Sequence, residues 1–341
     1  MQQVIVHEGP RAELVEAPIP IPAADEVVVR VVVAGSNPKD WKTWWVPQPI
    51  NQGNDMAGFV HAVGSQVTGF RPGDRVVAFH DVAAPHGTHA DYAIARAVVT
   101  AHLPPAVSFE DAATVPLAAM TSALALYRGL GMPQPWAPAD SPLPLLIYGG
   151  GSAVGAFAIK LARLSNIHPI IAVAGRSTPW VASLLDKDRG DAVIDNRQGA
   201  DVVLQGVRDA VAAAGAGGIR HAFDAISEGD SIKHTAAVVQ PGASIATTLP
   251  VEAPDLSPPP TLTVVGDIHG AMGERPGARD FGCVFMQAFA RWLADGRLQP
   301  HPYKVCPGGL KGIQTALDGL KEGKASGFKY VFRLQDGASE H

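Results

Sequence analysis

The stretch LLIYGGGSAVGAFAIKLARLS, 145–165, passes from an apolar run through a glycine cluster into an amphipathic helical pattern. Gly149, Gly150, Gly151 and Gly155 stand in the turn, and Ser152, Ala153 and Val154 open the helix. Glycines there let a diphosphate approach the backbone, and a helix N-terminus turns unpaired N–H groups and the positive end of its dipole toward the anion. Taken alone, such a turn is equally a tight strand-to-helix connection, but its place at the first crossover of an alternating strand and helix region favours a dinucleotide site. The next strand, HPIIAVAG, ends without the carboxylate that takes the ribose hydroxyls of NAD; Arg176, Ser177 and Thr178 follow instead. A guanidinium pairs bidentately with a 2′-phosphate and the two hydroxyls can add hydrogen bonds, so NADPH is the predicted cofactor.

The elements that must hold this turn are visible in the hydrophobic pattern. From 145 the chain alternates strand and helix (LLIY, GAFAIKLARLS, HPIIAVAG, WVASLLDKD, DAVIDN, DVVLQGVRDAVAAAG, IRHAFDAIS, DSIKHTAAVVQ, ASIATTL), which predicts a doubly wound parallel sheet with right-handed crossovers. The first hundred residues are short β-rich runs punctuated by turns, among them EVVVRVVVAGSNP, FVHAVGSQV and DRVVAF, the pattern of a partly open barrel. Between them FEDAATVPLAAMTSALALYRGL carries apolar residues at helical spacing and is expected to form one long helix. The tail, ending in KASGFKYVFRL, is expected to return to the first domain. The fold class is α/β, with a barrel domain over 1–118 and 286–341 and a nucleotide-binding domain over 119–285.

Composition narrows the function classes. A chain of 341 residues, 47% hydrophobic, is long enough for two domains with large cores. A net charge of −5, with 27 basic residues scattered among 32 acidic ones, provides no basic run for nucleic acid or an anionic membrane. Two cysteines, Cys283 and Cys306, make neither a disulfide framework nor a structural zinc cluster. With no signal-like start and no long uncharged apolar stretch, a soluble cytoplasmic protein is expected.

The stretches AGSNPKDWK (34–42), NDMAGFVHAVGSQVTGFRPGDRVVAF (54–79), GTHADYAIA (87–95), AATVPLAAMTSALALY (112–127), YGGGSAVG (148–155) and KASGFKYVF (324–332) together resemble the medium-chain dehydrogenase/reductase superfamily. Within it they are similar to the zinc-independent quinone oxidoreductase-like branch, and NPKDWK and YGGGSAVG to its fungal trans-acting enoyl reductases. The resemblance implies a GroES-like catalytic domain, a Rossmann domain and a cleft between them. Where zinc-dependent members carry a cysteine and a GHE motif, this chain has Ser36, Asn37 and Gly53, Asn54, Asp55, so no metal is expected. His61, His80, His86 and His89 fit no zinc spacing and are expected in exposed loops.

The same resemblance places Lys42 at the mouth of the cleft as a group that stabilises an enolate or delivers a proton, Asn37 facing nicotinamide and substrate, and Thr121 beside the nicotinamide ring. It puts Lys329 near the cofactor phosphates or nicotinamide and Asn196 in the adenosine phosphate pocket, where the family usually has tyrosine. Tyr148, at a strand end, packs or reaches the cleft. WKTWWVPQP, with Trp41, Trp44, Trp45, Pro47 and Pro49, could line an apolar acyl pocket. The predicted reaction is NADPH-dependent reduction of an activated C=C bond in an enone or enoyl thioester, free or carrier-bound, with a polyketide synthase as possible partner. A quinone or alkenal oxidoreductase and an NADPH-binding scaffold without turnover stay open. Prolines around TLTVVGDIHG argue for a monomer over edge-paired dimers.

Overall fold

The computed structural model describes residues 1–42, 49–252, 255, 257–265 and 277–335. It divides into two compact units, Met1–Met120 with Ile268–His341, and Thr121–Asp267.

A hairpin of β1 (Gln2–His7) and β2 (Arg11–Glu16) opens the chain. β3 (Glu26–Gly35) follows, a β-branched run buried on both faces after its first residue. Its one interior charge, Arg30, is accommodated by a 2.9 Å bond from Nη1 to Gln335 Oε1 and by the ring of Phe59, 5.1 Å from the guanidinium carbon. β4 (Asp55–Val63), β5 (Arg75–Phe79), β6 (Tyr92–Arg96) and β7 (Thr100–His102) complete the N-terminal strands. The single helix expected next is broken. α1 (Phe109–Ala113) is capped by Ser108, whose Oγ accepts the Asp111 N–H, and ends at Thr114; α2 (Pro116–Ala123) starts afresh and runs into a π-type turn, Leu124–Gly129. Pro116 is the reason: it lacks the N–H a continuous helix needs and drives Val115 out of helical conformation.

The second unit follows the predicted alternation: β8 (Leu145–Tyr148), α3 (Ala153–Leu164), β9 (Ile170–Ala174), α4 (Thr178–Ser183), β10 (Ala192–Asp195), α5 (Ala200–Ala213), β11 (Ile219–Asp224), α6 (Ser231–Ala236), β12 (Val239–Thr247) and β13 (Thr261–Val264). All six strands are parallel, in the order β10-β9-β8-β11-β12-β13. The chain steps outward from β8 to β10, then returns to β11 on the other side, so strand order reverses beside β8. In open α/β sheets that reversal opens a crevice at the strands' carboxyl ends, and here the glycine turn leaves β8 at that crevice. β13 is an edge strand, as is β10; GDIHG, the end of TLTVVGDIHG, lies outside the described residues.

The tail returns as α7 (Ala278–Ala294), β14 (Tyr303–Val305), α8 (Ile313–Lys321) and β15 (Lys329–Arg333). β15 pairs antiparallel with β3, Val331 opposite Gly35, in a sheet ordered β14-β15-β3-β4-β5-β7, with β6 also on β3. A boundary at 286 would cut α7, which belongs to the first unit: Gln287 Nε2 donates to the Thr100 carbonyl at 3.0 Å and Arg279 meets Asp25 at 3.2 Å. Among the described residues no helix is long and apolar enough to cross a membrane.

Candidate active site

β3 ends at Gly35, where a Cβ would strike the Ala113 carbonyl oxygen, and hands the chain to Ser36 and Asn37 before a 3-10 turn, Pro38–Asp40. Asp40 reaches back so that its Oδ2 accepts the Asn37 N–H at 2.7 Å. The Asn37 side chain turns elsewhere: Nδ2 donates to Asp55 Oδ2 at 2.8 Å, and Oδ1 accepts from Lys329 Nζ at 3.2 Å. Lys329 Nζ also donates to Asp55 Oδ2 and, at 3.4 Å, to the Thr114 carbonyl, while Asp55 Oδ1 accepts the Leu117 N–H at 2.6 Å. Lys39 Nζ donates to Asp40 Oδ1 at 2.8 Å and to the Gln52 carbonyl at 2.5 Å. Asn37 therefore sits between two lysine and aspartate pairs whose carboxylates are fully buried. Such pairs persist only when further hydrogen bonds offset the desolvation of both charges, as they do here.

Lys329 belongs to this network. Its three N–H groups serve Asp55, Asn37 and Thr114 in the first unit, which leaves no donor for a cofactor phosphate. Lys42 follows the turn half-buried, its N–H on the Lys39 carbonyl at 3.0 Å and its Nζ 5.7 Å from the Trp41 ring. Trp41 packs partly against the barrel core and Pro49 is exposed; Trp44, Trp45 and Pro47 lie outside the described residues. Thr121 is half-buried in α2.

The histidines differ from expectation. His61 is exposed and His86 half-buried, but His80 and His89 are core residues. His80 sets Nδ1 2.7 Å from the Ile94 carbonyl and Nε2 3.2 Å from that of Ala84, and burial lowers its pKa. His89 lies edge-on to Phe332 with Nε2 3.9 Å from Asp40 Oδ2, and among the described residues neither ring nitrogen has a hydrogen-bond partner. Burial pushes it down to about 4 against the pull of Asp40, so the ring is neutral at neutral pH. Ser36 Oγ and Asn54 Nδ2 donate to the carbonyls of Tyr330 and His80, at 3.0 and 2.9 Å. Among the described residues no group of three His, Cys, Asp or Glu side chains could hold a metal ion.

In the second unit Gly149 takes φ +88°, and the N–H groups of Gly149 and Gly150 both reach the Val173 carbonyl at 2.9 Å. Ser152 caps α3, its Oγ accepting the Gly155 N–H at 2.9 Å. The N–H groups of Gly151, Ala153 and Val154 find no acceptor among the described residues. A Cβ at Gly155 would press into Gly149, and one at Gly151 into Ser177 Oγ. This bare, donor-lined turn fits a pyrophosphate.

Arg176 is exposed at the end of β9; Ser177 is buried against the glycine turn, and the Thr178 hydroxyl donates to the Gly175 carbonyl at 2.7 Å. Asn196 stands beside Gly175 and hydrogen-bonds Tyr148, whose hydroxyl also meets His234 Nδ1 at 2.9 Å. Tyr148 is a packed, partnered side chain. Sequence reasoning gave no part in the site to Asp40, Asp55 or Lys39 and placed the buried His89 in an exposed loop. Only Asp40 had a local signal, an acidic residue three after Asn37 as in a capping box.

Residues 23–105 match the alcohol dehydrogenase GroES-like domain. The trans-enoyl reductase fsr4 of Gibberella fujikuroi is 38% identical over 92% of each chain. The enoyl reductase component lovC of the lovastatin nonaketide synthase of Aspergillus terreus is 31% identical over 94% of this chain and 92% of its own. An alcohol dehydrogenase superfamily protein from Novosphingobium aromaticivorans superposes with a TM-score of 0.78 at 22% identity, over 98% of this chain and all of that one. The CurK enoyl reductase superposes with a TM-score of 0.73 at 18% identity, over 97% and 98%. A glycine turn at the switch point of a parallel sheet, a first-unit sheet in which the C-terminal strand joins β3 and relatives matching along nearly the whole length agree: the chain is an oxidoreductase that belongs to the medium-chain dehydrogenase/reductase superfamily, among its trans-enoyl reductases.

Proposed function

We propose that the protein reduces the C=C bond of an α,β-unsaturated thioester with NADPH, without zinc, and that its substrate is a polyketide intermediate carried by a synthase. The observation that carries this reading is the match, over 92% of both chains, to a protein named a trans-enoyl reductase. The relative that is itself a component of a polyketide synthase supports a synthase partner.

When bound, the cofactor supplies a hydride for the β-carbon of the substrate. The electron pair of the C=C bond then moves toward the carbonyl, giving an enolate that takes a proton at the α-carbon. The chain's part is to bind and to stabilise charge. The N–H groups of Gly151, Ala153 and Val154 hold the pyrophosphate, Arg176 pairs with the 2′-phosphate, and Thr121 borders the nicotinamide. Asn37 offers an amide hydrogen to the enolate oxygen, and Lys42 stabilises that charge or delivers the proton.

The test follows NADPH oxidation by the purified protein against crotonyl-pantetheine, a simple enone, a quinone and an aldehyde, each with EDTA. Turnover of the thioester that survives the chelator and falls in Lys42→Ala is expected. Turnover of the aldehyde alone, or loss with EDTA, would overturn the reading in favour of a metal-dependent alcohol dehydrogenase. Quinone turnover alone would favour a small-molecule reductase. NADPH binding without any turnover would favour a scaffold.

A further inference from the structure

We infer that Asp55 and Lys329 are positioning residues that fix the direction of the Asn37 carboxamide, so that it presents a hydrogen-bond donor, and never its oxygen, to a bound carbonyl group. The inference rests on the reading above, in which Asn37 faces the substrate.

The amide of Asn37 has two hydrogens on Nδ2 and an acceptor at Oδ1. One hydrogen goes to Asp55 Oδ2 at 2.8 Å, and Oδ1 takes a hydrogen from Lys329 Nζ at 3.2 Å. Rotating the amide by half a turn would set its oxygen against the Asp55 carboxylate and its NH2 against the Lys329 ammonium. Two attractive contacts would become two repulsive ones, in a site where burial strengthens both. Neither partner can turn away to relieve this. Asp55 is held through its other oxygen by the Leu117 N–H at 2.6 Å, and Lys329 by the Thr114 carbonyl at 3.4 Å and by Asp55 itself. From the other side Asp40 holds the Asn37 backbone N–H at 2.7 Å.

One Nδ2 hydrogen has no acceptor among the described residues, although Asn37 is 4% exposed. A buried donor left unmet is costly, and a carbonyl oxygen whose negative charge grows during reaction is the partner that would gain most from it. A carboxamide free to flip would offer its oxygen part of the time and repel that charge. The ion pair removes this alternative.

Lys329→Met alone would strand the Asp55 carboxylate, so the test uses the charge-neutral pair Asp55→Asn with Lys329→Met, alone and combined with Asn37→Ala. With crotonyl-pantetheine and NADPH, the pair is expected to lower kcat on the order of tenfold to a hundredfold while leaving NADPH affinity unchanged, and to add nothing once Asn37 is alanine. Additive losses, or an unchanged kcat, would overturn the inference. A second readout needs no turnover. In the full chain labelled with 15N-asparagine, the Asn37 side-chain signals, identified by their loss in Asn37→Ala, should include one proton protected from exchange with solvent by its bond to Asp55, and that protection should be lost in the paired variant. Rapid exchange already in the unaltered protein would overturn the inference whatever the substrate. Wild-type silence toward the thioester with a rigid amide would count against the proposed reaction and uphold the positioning.

Discussion

Gly155 packs on the carbonyl of Gly149 so closely that a Cβ there would lie 2.8 Å from the Gly149 carbonyl carbon and 3.0 Å from the Gly150 α-carbon. These are backbone atoms, and they cannot rotate away. At Gly151 the obstacle is Ser177 Oγ, the free end of a side chain that can. Gly155→Ala is therefore expected to destabilise the protein by about 1–3 kcal/mol, and Gly151→Ala by much less. Thermal unfolding of the two variants without cofactor checks the order, and equal losses would contradict it.

Arg176 is an exposed cation beside the turn, and Arg197 is held by Asp195 through both carboxylate oxygens, from Nε at 2.9 and 3.2 Å. If Arg176 meets the 2′-phosphate, Arg176→Ala should weaken NADPH binding on the order of tenfold to a hundredfold, the value of a charge-assisted bond, and leave NADH binding nearly unchanged. Fluorescence titration with both cofactors measures this. An equal loss for both would remove Arg176 from that role.

His89 ties stability to acid. Its pKa is lowered to about 4 in the folded protein from the usual 6.5, so between these values the unfolded chain takes up a proton that the folded protein refuses. Stability is full above pH 6.5 and falls as pH drops toward 4, by about 3 kcal/mol from this group. Urea unfolding of wild type and His89→Phe across this range should show a shallower fall in the variant. Parallel curves would mean that other groups govern the acid response.

Lys160, buried in α3 with its Nζ 4.7 Å from the Phe157 ring and 5.9 Å from that of Trp180, is lowered to about 7 by desolvation. The unfolded chain keeps this amine charged up to about 10.5, so its penalty is fully present below pH 7 and disappears as pH rises through that window. Lys160→Met should raise the melting temperature at pH 7, with the gain shrinking toward pH 10. A lower melting temperature at pH 7 would show that the aromatic contacts of the cation outweigh its desolvation.

The parts of this molecule that could be read from the sequence are those encoded by near neighbours. The glycine turn, its capping serine and the strand and helix alternation each lie within a few tens of residues, and periodicity reports them. The break at Pro116 is equally local, but the apolar spacing continues on either side and masks it. Asp55 and Lys329 had no such signal. They stand 274 residues apart and meet because β4 and β15 flank β3. Burial of a charge is invisible to composition, and the same holds for His89, which resembles a loop histidine until Asn51 and Phe332 are seen around it. The resemblance located Asn37 and Lys329 without showing that they touch.

The helix break has a consequence for recombining this chain with its relatives. Starting α2 at Pro116 leaves the Leu117 N–H outside any helical ladder, and Asp55 Oδ1 takes it. The start of the helix that leads into the second unit is therefore registered on the carboxylate that orders Asn37. A chimera joined anywhere between 55 and 117 would take that carboxylate and the Leu117 N–H from different parents, whereas one junction beyond Ala123 with a second before Lys329 would take Asp55, Leu117 and Lys329 from the same parent. Crossover points for domain exchange belong after the helix, although the break before it looks like the natural seam.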